Sequence, residues 1–254
     1  MPAPVEPQVT AVAERWRQRQ PVAVGLEGFH AVKHALRFGA RVGPLLTTDL
    51  DRTLALAGSH APDLVDQFAA LTETVERATL LDLVGRVHPT GVAALADRPE
   101  HPVAAALAAL SAHRPTPAVF LDHPRNLGNL GAVIRVAAGL GASAVLSDGD
   151  VDPWHPGVLR GSAGLHFALP VARVAAVEEV AGPLFALDAA GTDLRQTRIP
   201  DNAVLAFGSE RHGLSPQVRD RADALLALPM RELVSSYNLT TSVAMTLYHW
   251  ALGR

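Results

Sequence analysis

Residues able to do chemistry gather in three segments of the second half of the chain. The first, Asp122-His-Pro-Arg-Asn-Leu-Gly-Asn-Leu-Gly-Ala-Val-Ile-Arg135, follows a short apolar run and leads into a longer one. A strand opening into a helix is where open α/β sheets collect ligands. Gly128 and Gly131 suit a tight turn with a ligand close to the backbone. Their spacing is not G-x-G-x-x-G, so a dinucleotide-dependent dehydrogenase has little support. Asn129 has two readings, a helix N-cap or a polar group of a site. Arg135 stands among Ala, Val and Ile on every side, which predicts a buried guanidinium that needs either an acidic partner or a task.

The second segment, Phe207-Gly-Ser-Glu-Arg-His-Gly213, ends another apolar run. Gly208 and Gly213 would bracket a turn facing a pocket, with Glu210 offering a carboxylate to an amine or hydroxyl; an ordinary strand-to-helix turn is the plainer reading. The third runs from Leu228 to Ser242 as Leu-Pro-Met-Arg-Glu-Leu-Val-Ser-Ser-Tyr-Asn-Leu-Thr-Thr-Ser. It places Ser235, Ser236 and Asn238 before an apolar terminal helix, where Asn238, Thr240 and Thr241 could also be capping residues. Two other patterns carry less. Gly161-Ser-Ala-Gly164 lacks the first glycine of a nucleophile elbow, having Arg160 there, and His30 with His34 has no third metal ligand.

The elements needed to hold these segments follow from the apolar periodicity. The spacing predicts strands at 118–122, 144–146, 166–169, 184–188, 204–208 and 225–228, with helices at 130–140, 155–162, 174–181, 216–222 and 239–252. Short apolar strands alternating with helices imply a parallel, doubly wound sheet covered on both faces. In front of it, a strand at 22–26, a helix at 28–38, an apolar stretch at 42–47, helices near 62–70 and 78–84 and a strand at 91–96 imply a small α/β domain. Residues 1–20 read as a tail with a short polar helix, loose at its extreme end. The prolines at 99, 102, 115 and 117 mark a linker over 101–116, giving domains at 21–100 and 117–254.

Composition removes several classes of function. The 254 residues contain no cysteine, which excludes disulfides, thiolate catalysis and cysteine-held metals. No apolar run approaches the ~20 residues of a membrane helix, and the start lacks the pattern of a signal peptide, so a cytoplasmic location is expected. The net charge of −3 means that a nucleic-acid partner would have to be held by a local patch or a dimer seam. Lys33 is the only lysine against many arginines, a bias that suits phosphate contacts and that a GC-rich genome also produces.

Taken in order, Asn-x-Gly-Asn-x-Gly-Ala-x-x-Arg, Gly-x-Glu-x-x-Gly and Leu-Pro-Met with Ser-x-Asn resemble the three motifs of the SpoU, or TrmH, RNA ribose 2′-O-methyltransferases of the SPOUT superfamily. The resemblance covers residue 118 onward. Residues 22–96 also resemble the ribosomal-protein-like RNA-binding domain carried by many members, through Leu26-Glu-Gly28 with the helix after it and His88-Pro-Thr-Gly-Val-Ala93. It implies a C-terminal domain with a deep trefoil knot, S-adenosyl-L-methionine as cofactor, structured RNA as substrate with ribosomal RNA ahead of transfer RNA, and a homodimer through the C-terminal domain, without metal or membrane. Catalytic positions would be Asn129, Arg135, Glu210, Ser236 and Asn238, with Arg135 at the reacting ribose. Cofactor contacts would fall at Leu187, Gly208, Leu228, Met230 and Tyr237. Tyr237 stands where members usually have Leu, and Ser242 where Ala is usual, leaving the shape of the adenine pocket open. The competing class is a non-catalytic RNA-binding protein on the same fold.

Overall fold

The computed structural model describes residues 7–110 and 115–253, which fall into two compact units, 1–99 and 100–254. The expected loose end at residues 1–6 lies outside the described residues.

The front unit begins with α1 (Pro7–Arg19). This helix is not the polar appendage expected of a tail, because Val12, Ala13 and Trp16 are buried and pack with Leu46, Leu80 and Leu95. After it come β1 (Ala23–Glu27), α2 (Phe29–Arg37), β2 (Val42–Thr47), α3 (Leu50–His60), α4 (Val65–Leu71), β3 (Thr72–Thr74), α5 (Arg77–Val84) and β4 (Val92–Asp97). The sheet order is β1-β4-β2-β3, with β4 antiparallel to both of its neighbours and β3 parallel to β2. Helix α3 and strand β3 were not expected from the periodicity; Asp49 caps α3 by accepting from the Arg52 N–H at 2.9 Å. The two stretches that carried the front-domain resemblance meet, the Gly28 N–H donating to the Val92 carbonyl at 2.8 Å. Gly28 has φ 87° and a Cβ there would strike the His88 ring, so the contact requires glycine.

The second unit opens with α6 (Pro102–Ala108), whose Ala106, with Leu110, enters its core, so this part of the expected linker is packed. Then follow β5 (Ala118–Leu121), α7 (Leu127–Gly139), β6 (Val145–Ser147), α8 (Pro156–Ser162), β7 (Val171–Arg173), β8 (Leu184–Asp193), β9 (Val204–Phe207), α9 (Pro216–Arg221), β10 (Ala224–Ala227) and α10 (Leu239–Leu252). All five pairings in the order β10-β8-β9-β5-β6-β7 are parallel. Every residue of β5 and β9 is buried, as expected of central strands covered on both faces.

Two expected elements are replaced. The strand placed at 166–169 is a 3-10 turn, Leu165–Phe167, followed by β7 five residues later than expected, because His166 is buried and satisfied inside the turn. The helix placed at 174–181 is only a 3-10 turn, Val177–Glu179. Val174, Val177 and Val180 are all buried at intervals of three, a spacing that reads as helical but fits a tighter turn.

Candidate functional site

The middle of β8, the C-terminal ends of β9 and β10 and the loop before α10 line a cavity of about 600 Å³, within the range of small-molecule sites. Its wall includes all five positions assigned to the cofactor, Leu187, Gly208, Leu228, Met230 and Tyr237, together with Glu210, Ser236 and Asn238 of the catalytic set. Ser235 and Ser242, noted in the third segment, also line it, as do Asp188 and Ser209, which were not singled out from sequence. Asp188 could have been suspected as the first polar residue after an apolar strand; its carboxylate pairs with Arg219 and accepts from the Ala190 N–H.

The three segments are joined through one side chain. Asn129 donates its amide N–H to Glu210 Oε1 at 2.6 Å, and its amide oxygen accepts from Asn238 Nδ2 at 3.2 Å. Asn238 in turn caps α10 by accepting from the Thr240 N–H at 2.9 Å, while Thr240 Oγ1 reaches the Asn129 carbonyl at 3.4 Å. The N-cap of α7 is not Asn129 but Asn126, which accepts from the Asn129 N–H at 3.0 Å and leaves the Asn129 side chain free to bridge.

The second segment forms a closed loop. Ser209 and Gly213 exchange both backbone N–H···O bonds at 3.0 Å, and a Cβ at Gly208 would overlap the Gly213 backbone. In the third, Arg231 through Asn238 are all exposed in the single chain, and Tyr237 ties the ends together by donating its hydroxyl to the Pro229 carbonyl at 2.9 Å. This cross-loop bond is one that leucine could not make.

Two expectations from the first segment are corrected. Arg135 is exposed, and among the described residues it has no hydrogen bond or ion pair. The apolar residues around it bury the other faces of α7, through Leu130, Val133, Ile134 and Ala137. Neither Asn129 nor Arg135 lines the cavity of the single chain. Gly131 does not serve a turn either; it is the point where α7 meets α8, and a Cβ there would overlap the Val158 carbonyl and lie 2.8 Å from Gly161 Cα.

At the end of β5, Asp122 and Asp148 are buried and hold His123, whose N–H donates to Asp148 Oδ1 at 2.6 Å and whose Nδ1 lies 2.7 Å from Asp122 Oδ1. The other Asp122 oxygen accepts from the Ser215 N–H at the start of α9. The hydrogen bond to Asp122 raises the His123 pKa above its ordinary value, and burial raises that of Asp148. Their ligand atoms lie close enough to hold a metal ion, but hydrogen bonds within the triad and to Ser215 already engage the carboxylates. The discounted Ser162 is buried and hydrogen-bonded to His166 Nδ1 at 2.7 Å, while His166 Nε2 contacts the Pro153 carbonyl at 2.7 Å. No substrate reaches a serine enclosed in this way.

A parallel sheet whose strand ends surround a nucleotide-sized cavity, rimmed by bridged asparagine and glutamate, defines an α/β enzyme domain for a nucleotide-like ligand. The chain belongs to the SpoU rRNA methylase family, whose model matches residues 117–248. It is 27% identical to the 23S rRNA (guanosine(2553)-2′-O)-methyltransferase RlmP of Bacillus subtilis, across 88% of this chain and 86% of that protein. Identity is 32% with the 23S rRNA (uridine(2479)-2′-O)-methyltransferase of Streptomyces viridochromogenes, over about half the length of each, 51% and 50%. Among solved structures, an RNA 2′-O ribose methyltransferase superposes with TM-score 0.71 at 26% identity, covering 99% of this chain and 97% of that one. The SpoU methyltransferase AviRb of S. viridochromogenes with AdoMet superposes with TM-score 0.74 over 98% of both chains, and at 23% identity supports the fold.

Proposed function

We propose that the chain methylates a ribose 2′-hydroxyl of ribosomal RNA with S-adenosylmethionine, in line with its family and with the 23S rRNA enzymes it is similar to. The observation that carries this reading is the Glu210–Asn129–Asn238 bridge, which joins all three family segments at the rim of one cavity.

The cavity fits the cofactor. Leu187, Leu228 and Met230 offer apolar walls for a base, and the glycine-bearing 208–213 loop offers unshielded backbone. When bound, S-adenosylmethionine supplies a methyl group on a sulfonium, already strongly electrophilic. What remains for the protein is to hold a 2′-hydroxyl in line and ease its deprotonation. In this reading Glu210, Ser236 and Asn238 orient the ribose, with Asn129 fixing Glu210 and Asn238. Arg135, a poor base because a guanidinium holds its proton too firmly, holds the neighbouring phosphate and stabilises the developing alkoxide.

Arg135 stands away from the cavity of its own chain, which agrees with a site completed by a second copy. The homodimer, the knotted threading of the last segment, the front unit as an RNA-binding module and a cytoplasmic location belong to the same proposal. No helix among the described residues is long and apolar enough to cross a membrane.

Mapping ribose methylation in ribosomal and transfer RNA from cells with and without the gene tests the function. One lost ribosomal position is expected. Tight cofactor binding with no position lost from any RNA would instead favour a non-catalytic RNA-binding protein.

A further inference from the structure

We infer that Arg125, Arg211 and Arg231 form the rim that grips the phosphates of the substrate strand over the cavity, an inference that rests on the RNA reading above. The chain is acidic overall, at −3, so attraction for RNA has to be local. Many of its arginines are already neutralised. In the front unit Arg15, Arg17, Arg19, Arg37 and Arg41 each pair with a carboxylate, and in the second Arg195, Arg219 and Arg221 do so.

Arg125, Arg211 and Arg231 are different. All three are exposed, and none has an ion pair or side-chain hydrogen bond among the described residues. They come from three separate segments, Arg211 and Arg231 next to residues that line the cavity and Arg125 at the start of the helix that carries Asn129. Arg125 precedes Asn126, which caps the helix carrying Asn129; Arg211 follows Glu210; Arg231 follows Met230. The carboxylates on the same segments are Asp122, buried and engaged by His123 and the Ser215 N–H, Glu210, engaged by Asn129, and Glu232. Arg52, Arg77, Arg86, Arg135, Arg173 and Arg198 also stand without an ion pair among the described residues, so it is adjacency to the cavity's segments that singles out the three; Arg198, for one, lines a different cavity of about 340 Å³ beside His249 and Trp250.

An exposed, unpaired guanidinium loses little on meeting a phosphate and gains a two-point hydrogen bond. Three of them on the three segments that meet at one cavity suit a polyanion that lies across it. Such contacts displace condensed counterions, so each engaged phosphate adds about 0.7–0.9 to the slope of log affinity against log salt.

The test measures binding of the full chain to unmodified ribosomal RNA from about 50 to 300 mM KCl. Wild type is compared with the triple variant Arg125→Gln, Arg211→Gln, Arg231→Gln and with each single variant. The triple variant should lose about 2–3 in slope and at least about tenfold in affinity near 0.15 M salt, and each single variant about 1 in slope. Calorimetric affinity for S-adenosylmethionine should stay at the wild-type value, showing an intact fold and cofactor site. A triple variant with the wild-type slope overturns the rim. A wild-type chain that binds RNA at no salt concentration overturns the methyltransferase reading itself, which separates the two failures.

Discussion

Asn129 uses both ends of its amide, donating to Glu210 and accepting from Asn238, so its orientation is fixed by two partners from other segments. Replacing it by alanine should cost less than ~1 kcal/mol of stability, since Glu210 and Asn238 are exposed and can turn to water. Activity should fall on the order of 100-fold, because small misplacements of a reacting group are costly. Methyl-transfer rate and thermal unfolding measured together on Asn129→Ala check this; a loss of rate no larger than the loss of folded protein would leave Asn129 a mere scaffold. A second prediction concerns His166, which burial lowers to a pKa of about 4 from an ordinary 6.5. The unfolded chain then binds the extra proton between those values, so stability should decline as pH falls from about 6.5 to about 4, by on the order of 3 kcal/mol. Urea midpoints across that window test it, and a midpoint that stays level would contradict the burial. His123 acts with the opposite sign: its pKa is raised, so its contribution is present at lower pH and fades as pH rises through the raised value.

Among the elements, α7 and α8 are locked at Gly131. Gly131→Ala should lower stability by about 2–3 kcal/mol, the range of overpacked interiors, visible as a large drop in Tm. An unchanged Tm would mean that the helices can separate freely. Sequence reading set α10 at its observed limits, and bounded the apolar stretch that forms β2, because both have strong apolar patterns between clear breaks. It missed α3, where Gly58 and Ser59 dilute a helix that tertiary burial of Thr53 and Ala57 sustains. The wall of the cavity was legible wherever a motif marked it, as at Gly208, Glu210 and Asn238. Ser209 was not, because a small polar residue carries no periodic signal. Asn126 and Asn129 show a subtler limit. Two identical residues three apart offer the same cap, and only the earlier start of α7 decides which one takes it.

For the whole molecule, the exposed Tyr248 and Leu252 on α10 and Leu233 and Val234 in the 231–238 loop leave apolar surface open in the single chain. If a second copy covers it, the 26.7 kDa chain should sediment at twice its mass at micromolar concentration, and Leu252→Asp should shift it towards monomer with loss of methyl transfer. A wild-type chain that sediments as monomer while fully active would end the dimer proposal. The same last segment bears on how the protein comes into being. The central strands β5 and β9 lie far apart in the chain, and the cavity wall also needs Met230 and Tyr237, which come after both in sequence. During synthesis, a chain that has emerged as far as β9 can pair its central strands, yet lacks the wall that holds a ligand. The wall that holds a ligand is therefore complete only when the final loop and α10 lie against α7, so cofactor binding reports on the last-made part of this sequence.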